Sequence, residues 1–303
     1  MKNENKFKLT TPILYLVFNR LDTVKQTFPE IQKAKPKQLF ISADGPRTLK
    51  EKKKTDAVRN YIKKNINWNC EVKTLFRKKN FGCKYAVSGA IDWFFKNVEQ
   101  GIILEDDCLP SQSFFRFCQE MLKRYKNNEK IMHISGTNIE GISKIKEDYF
   151  FSKTYNVWGW ATWRRAWSKY DVEMKDWPRW RLKSLSFMKG YTFFNKLKSL
   201  RLYELTYRSK INTWDYQWDF CCNNNKGFSV IPKKNLITNL GFSKNATHTD
   251  QAPNKRRIIK RFEFLGKIKV REFIKENKDY KKQFAKFFKT SIIFKMIRKL
   301  KKN

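Results

Sequence analysis

The sequence predicts an α/β fold, a mostly parallel central sheet flanked by helices, and three observations carry that expectation. Short runs such as Ile13–Phe18 and Gly101–Leu104 are continuously apolar, as strands buried on both faces must be. These runs alternate with segments of helical periodicity, at a spacing that suits right-handed crossovers. The 303 residues are 41% hydrophobic and 16% aromatic, enough for a substantial core and too much for a disordered chain.

Taken in order, Ile13–Phe18 is the first strand, followed by a helix over Leu21–Lys33 with Asp22 as its expected N-cap. Gln38–Ser42 is the second strand, closed by the turn Ala43-Asp44-Gly45-Pro46, and a very basic helix covers Leu49–Lys64. Cys70–Phe76 is the third strand, Gly82–Val98 an amphipathic helix, and Gly101–Leu104 the fourth strand. Beyond it, Ser113–Lys126 reads as a helix, Ile131–Ser135 as a strand, and Leu182–Tyr207 as helical. Tyr155–Trp167 is aromatic with the pair Arg164-Arg165. His133, inside an apolar strand, is expected in the core.

Lys and Arg number 66 against 28 Asp and Glu, a formal net charge of +38. Such a surplus favours anionic partners: nucleic acid, phosphorylated small molecules or acidic lipid headgroups. No run of about 18 apolar residues suggests a membrane-spanning helix. Of the six cysteines, none forms a C-x-x-C pair and Cys221 and Cys222 are adjacent, so zinc is disfavoured and reduced thiols are expected. Ile13–Phe18 is too short for a signal peptide and is followed by Asn19-Arg20, with no small-residue cleavage site.

In a chain this basic, Glu105-Asp106-Asp107 directly after the fourth strand stands out. Ligands of open parallel sheets bind beyond the carboxyl ends of strands. Three consecutive acids there repel one another unless a cation or hydrogen-bond donors compensate them, and hard cations such as Mg²⁺ and Mn²⁺ take carboxylate oxygens. An acid cluster at the start of the next helix would account for the same residues. Asn19-Arg20 ends the first strand and Asp44-Gly45-Pro46-Arg47 the second, so three polar strand ends share one edge, as a nucleotide site requires.

A strand ending in Asn-Arg, one ending in Ala-Asp-Gly and one ending in Glu-Asp-Asp together resemble a GT-A fold glycosyltransferase. The similarity is to bacterial family-two-like sugar transferases and to the N-acetylglucosaminyltransferases that begin complex N-glycan branching. It continues through Asn156-Val157-Trp158-Gly159-Trp160, Trp214-Asp215-Tyr216-Gln217-Trp218, Val230-Ile231-Pro232, Gly241-Phe242-Ser243 and Ala246-Thr247-His248, covering about Leu9 to Thr249.

The resemblance implies a metal-dependent, inverting enzyme that moves a sugar from a nucleotide-diphosphate donor, UDP being the family's commonest, to a hydroxyl of a bacterial surface glycan or glycolipid. By that similarity Asp107 would bind Mn²⁺ or Mg²⁺ directly, while Glu105 and Asp106 would contact the donor. Phe18, Arg20 and Asp44 would hold the nucleotide, and Lys84 would reach the diphosphate. Asp215, flanked by Trp214 and Trp218, would be the general base, with Asp219 one helical turn on as the alternative. From the residues alone, Trp214–Phe220 reads more readily as an aromatic core helix whose acids point to solvent. His248 would touch metal or diphosphate. Trp158, Trp160, Trp163 and Trp214 would line the acceptor side, and Arg164 and Arg165 would suit an anionic acceptor.

Residues 1–249 are read as the transferase domain and 250–303 as a basic helical tail. Residues 251–303 hold 19 Lys and Arg against 4 Asp and Glu, and Phe284, Phe287, Phe288, Ile292, Ile293, Met296, Ile297 and Leu300 recur at helical steps. That pattern implies peripheral attachment to an anionic membrane surface, on the cytoplasmic face of the cell membrane, where lipid-linked acceptors would be at hand. Two other classes were weighed. A nucleic-acid-binding protein would explain the charge but would be repelled by the acidic triplet, so no nucleic acid partner is expected. A nucleotidyltransferase would share the sheet, but the turn Phe18-Asn19-Arg20-Leu21 lacks the glycines of a phosphate loop.

Overall fold

The computed structural model describes residues 7–187, 193–242, 258–264, 266–271 and 273–287. Its strands are β1 (Ile13–Val17), β2 (Gln38–Ala43), β3 (Glu71–Phe76), β4 (Gln100–Glu105), β5 (Cys108–Pro110), β6 (Ile131–Ser135), β7 (Tyr149–Ser152), β8 (Trp160–Trp163), β9 (Phe228–Pro232) and β10 (Ile237–Asn239). Its helices are α1 (Leu21–Ala34), α2 (Leu49–Asn65), α3 (Gly82–Asn97), α4 (Gln112–Arg124), α5 (Arg164–Trp167), α6 (Trp177–Phe187), α7 (Phe193–Tyr207) and α8 (Asp215–Asn224). The α/β class expected from the sequence is what the structure has. One segment read as a single helix, Leu182–Tyr207, is divided between α6 and α7, with residues 188–192 outside the described residues.

Eight strands form the main sheet in the order β3-β2-β1-β4-β8-β6-β9-β7. Pairings β3–β2, β2–β1, β1–β4 and β6–β9 are parallel, while β4–β8, β8–β6 and β9–β7 are antiparallel. The continuous apolar run of β1 has a direct cause. Ile13, Tyr15 and Val17 enter the core shared with α1, α2 and α4, whereas Leu14 and Leu16 enter the opposite core with Phe94 of α3 and Trp218 of α8. Both faces of the strand are covered, so no position tolerates a polar side chain.

Helix starts follow local chemistry. Thr48 caps α2, its hydroxyl accepting from the Glu51 amide at 3.1 Å. For α1 the expected cap Asp22 is instead a first-turn residue; the helix begins at Leu21 after Arg20, with no side-chain cap. The α4 amides find their acceptor far along the chain: Glu263 accepts from Gln112 N at 2.9 Å and Ser113 N at 2.7 Å.

Glu263 belongs to the segment read as a basic helical tail, and several of its residues between 258 and 287 contact the sheet and its helices. Phe264 stacks on Phe117, Arg261 pairs with Glu30, and Phe262 N bonds Asn235 O at 2.8 Å. Tyr280 is fully buried against Phe150 and Ile231. Glu276 bridges to Phe151 on β7, and Asn277 N donates to Phe151 O at 2.8 Å. The segment straps the sheet through Phe264 and Tyr280, which pack on its core. The rest of the apolar stripe, Phe288 onward, lies outside the described residues. Glu263→Ala is expected to cost about 1 kcal/mol by removing the acceptor of the α4 amides, measured as a fall in denaturation midpoint; a free tail would give no change. Among the described residues, no helix is long and apolar enough to cross a membrane.

Candidate active site

Register brings the three polar strand ends together. Val17 pairs with Ala43, and Leu16 with Glu105, so the residues that follow β1, β2 and β4 emerge on one rim. There the acids divide their work. Asp106 is buried, accepts from Phe18 N at 3.2 Å and pairs with Arg20. Arg20 also reaches Asp107 Oδ2 at 3.1 Å. Burial opposes the charge on Arg20, but Asp106 and Asp107 outweigh it and hold its pKa above the ordinary arginine value.

The Glu105 carboxyl makes no hydrogen bond or ion pair with a described residue. Burial first, then the charge of Asp107, push its carboxyl up to about 8 against the relief given by Arg20; Asp106 and Asp215 push the same way. Asp106 is raised to about 6, chiefly by burial, with Arg20 opposing.

Asp215 thus acts on Glu105 although it lies 110 positions further along the chain. It opens α8, where Thr213 Oγ1 and the Tyr216 amide both donate to its Oδ1, the latter at 3.0 Å. Its Oδ2 accepts from no described residue. Burial raises its pKa, while Thr213 and the amide hold it back. A common neighbour marks where the elements meet. The Cys83 thiol is pushed up to about 12 by burial, and then by the charges of Glu105, Asp215 and Asp44.

The other expected site residues have these surroundings. Asp106 and Arg20, expected to contact the donor, pair with each other, and Arg20 also holds Asp107. Asp44 accepts from Phe81 N at 3.0 Å and Gly82 N at 3.0 Å, which fixes the start of α3. Gly82 sits at φ 72°, where a side chain would be strained. Lys84, expected to reach the diphosphate, is buried and pairs with Glu173 at 3.0 Å. Phe18 contributes its amide to Asp106, and its ring lies under Arg47 at 5.7 Å.

The tryptophans split. Trp214, Trp160, Trp163 and Trp218 are buried, so they are core and not platforms for a sugar. Trp160 stacks on His133 and on Trp214. His133 is in the core as expected: it is fully buried, accepts from Trp218 Nε1 at 3.2 Å, and is lowered to about 3 by burial. Trp158 alone of the four expected acceptor-side tryptophans is partly exposed, beside Phe242. Asp219 accepts from Tyr203 and Asn223 in the α7–α8 contact and is raised to about 6 by burial, which makes it structural. Arg164 and Arg165 are tied to backbone carbonyls, among them Val98 O and Ile131 O. His248 lies outside the described residues.

Thr213 and Asn212 were not singled out from the sequence, and Gly241 entered it only within the run Gly241-Phe242-Ser243. Thr213 orients Asp215. Asn212 accepts from the Lys84 amide at 3.0 Å and so ties the approach to α8 onto α3. Gly241 lets the chain after β10 close over the acids: a Cβ there would stand 2.6 Å from Asp107 Oδ2. Nothing in the residue types signals these; only the distant pairing does.

The donor set suits a divalent cation in charge and in kind. Three carboxylates against one guanidinium leave a formal surplus of two negative charges, all on hard oxygen donors. Among the described residues no group of three or more metal-ligating side chains converges, so an ion here would complete its shell with water or ligand oxygens.

No protein-family model matches the chain, and no curated protein matches it in sequence. Solved structures similar to it include the mannosyltransferase PcManGT from Pyrobaculum calidifontis in complex with GDP-Man and Mn²⁺, at 10% identity over 55% of this chain, with a TM-score of 0.40. This chain covers 49% of PcManGT, about half its length. The glycosyltransferase GlyE from Streptococcus pneumoniae TIGR4 is 8% identical over 73% of this chain and 45% of its own, with a TM-score of 0.36. A UDP-glucose pyrophosphorylase complexed with UDP-glucose is 10% identical over 77% of this chain and 94% of its own, with a TM-score of 0.37.

Proposed function

We propose that the chain is a glycosyltransferase of the GT-A type that moves a sugar from a nucleoside-diphosphate donor to an acceptor hydroxyl, with inversion. The observation that supports this reading is the meeting of two carboxylates from distant parts of the chain. Glu105 lies at the end of β4 and Asp215 at the start of α8, and the charge of Asp215 adds to the rise of the Glu105 pKa. A poorly compensated acid at the carboxyl end of a parallel strand, with a second near it at a helix start, is costly, and a site for cationic and proton-transfer chemistry accounts for them.

In this mechanism Asp215 takes the acceptor proton on Oδ2, because Oδ1 is already occupied by Thr213 and the Tyr216 amide. Partial desolvation strengthens it as a base. Arg20 fixes Asp106 and Asp107, so the rim does not collapse under its own repulsion. Glu105 and Asp107 would hold Mg²⁺ or Mn²⁺, which when bound supplies Lewis-acid stabilisation of the departing diphosphate. The acceptor in this reading is a bacterial surface glycan or glycolipid. The basic, apolar sequence beyond Phe287 would hold the enzyme to the cytoplasmic face of an anionic membrane.

The test is a panel of sugar nucleotides with Mn²⁺, with Mg²⁺ and with chelator. Release of nucleoside diphosphate in the metal-containing arms alone, with donor affinity lost in Asp107→Ala, is the expected result. Release of inorganic pyrophosphate from a nucleoside triphosphate and a sugar phosphate would identify a nucleotidyltransferase instead.

A further inference from the structure

Two loops at the carboxyl edge of the sheet run side by side. Residues 44–48 join β2 to α2, and residues 77–81 join β3 to α3. Ala43 O accepts from the Arg77 amide at 3.0 Å, and Asn80 Nδ2 donates to Gly45 O at 2.7 Å. They pass so closely that a Cβ on Gly45 would stand 2.3 Å from the Lys79 backbone.

A large apolar side chain projects where each loop enters its helix. Leu49, the first residue of α2, is 83% exposed, more than any other large apolar residue described, and Phe81 is 55% exposed. The core does not account for Leu49. Helix α2 buries Thr55, Val58 and Ile62, and at 100° per residue Leu49 and Lys53 fall on the opposite side.

One exposed leucine is ordinary; its surroundings here are not. Lys50, Lys53 and Lys54 on α2 and Lys78 and Lys79 on the second loop are all exposed, and none forms an ion pair with a described residue. Arg47 and Lys52, in contrast, are already paired with Glu51 and Asp56.

Five uncommitted cations around two projecting apolar groups complement a surface that is anionic outside and apolar within. A leaflet with acidic headgroups has both layers: charge for the ammonium groups, and an acyl boundary for the apolar side chains. The phosphate backbone that such cations would grip on a nucleic acid is hydrophilic and leaves Leu49 in water.

We propose that the β2–α2 and β3–α3 loops form a membrane-docking face, with Lys50, Lys53, Lys54, Lys78 and Lys79 at the headgroups of an anionic leaflet and Leu49 and Phe81 inserted at its boundary. This surface is separate from the sequence beyond Phe287, and docking through it needs no transfer chemistry. It turns the rim that carries Asp44 and Glu105 toward the lipid. On the transferase reading, a lipid-linked acceptor then meets the site without leaving the bilayer.

The experiment is flotation of the full chain with phosphatidylcholine vesicles, with and without phosphatidylserine, joined to hydrogen exchange of the bound protein. Partition onto the serine-containing vesicles is expected, with exchange slowed over residues 45–54 and 77–82. Lys50→Gln/Lys53→Gln/Lys54→Gln should lower partition by about tenfold or more, since each cation near an anionic surface counts for roughly fivefold. Leu49→Ser, at a position too exposed to matter to the fold, should lower it by about threefold or more. Lys33→Gln/Lys35→Gln/Lys37→Gln removes the same charge from exposed positions at the opposite edge, where β2 begins, and should cost much less. Equal losses in the two triple variants, wild-type partition of Leu49→Ser, no partition at all, or slowed exchange confined to the sequence beyond Phe287 would overturn the proposal. So would a DNA duplex that protects the same loops and displaces the vesicles at equal salt. Release of nucleoside diphosphate is read separately, so the docking face and the transferase reading fail independently.

Discussion

Asp215→Asn is expected to lower turnover by about 10²–10⁴-fold, the range lost when a positioned general base is removed, with donor affinity nearly unchanged. The asparagine keeps the size of the side chain and can still accept from Thr213 and the Tyr216 amide, so the start of α8 should hold. What disappears is the basic oxygen that no described residue occupies. Steady-state rates and direct donor binding, measured together, separate this from unfolding. Asp219→Asn provides the contrast: its carboxylate is spent on Tyr203 and Asn223, so its loss should appear in stability and not in the proton-transfer step. A larger fall in turnover for Asp219→Asn than for Asp215→Asn would remove Asp215 from the role.

Glu105→Gln should make the protein more stable, by roughly 1–3 kcal/mol at pH 8 after allowance for the partial exposure of the carboxyl. The direction follows from proton linkage. In the folded chain Glu105 holds its proton up to about pH 8, against 4.5 for the ordinary side chain. Over that interval the folded state binds more protons than the unfolded state, so stability falls as pH rises from 4.5 through 8. Below the interval both states are protonated and the two proteins should agree. Glutamine carries no charge, so its denaturation midpoint should fall less steeply with pH. Divalent cations should raise the midpoint of the wild type at pH 8, because a ligand of the folded state alone stabilises it by mass action, and should do so much less in the variant. A midpoint that falls in Glu105→Gln would show that the carboxylate is a structural contact and not an uncompensated charge.

Much of the frame was legible because burial on both faces leaves a one-dimensional trace. Ile13–Val17 and Gly101–Leu104 admit almost no polar residue, and the alternation with helices then dictates which strand ends share a rim. The acidic triplet was legible for the opposite reason, being out of place in so basic a chain. What could not be read is how charges pair over distance. Arg20 looks like a phosphate ligand until Asp106 and Asp107, more than 80 positions away, are seen to occupy it. Lys84 has its partner 89 positions on, in Glu173.

The tryptophans were ambiguous for another physical cause. A flat apolar surface with one polar edge serves a core and a sugar equally, and only the exposure of Trp158 against the burial of Trp160, Trp163, Trp214 and Trp218 separates the uses. The same holds for Tyr280, whose helical spacing with Phe284 and Phe287 describes an apolar stripe without saying what covers it.

The strap formed by Glu276 and Asn277 against Phe151 bears on how the molecule is born. Strand β7 is the outermost strand of the sheet, and an uncovered strand margin invites pairing with another copy. The residues that shield it are made only after β9, the last strand of that sheet in chain order. During synthesis, every nascent copy therefore passes through an interval in which the sheet is assembled and its border is bare. Polysomes crowded with such chains are where self-association would begin.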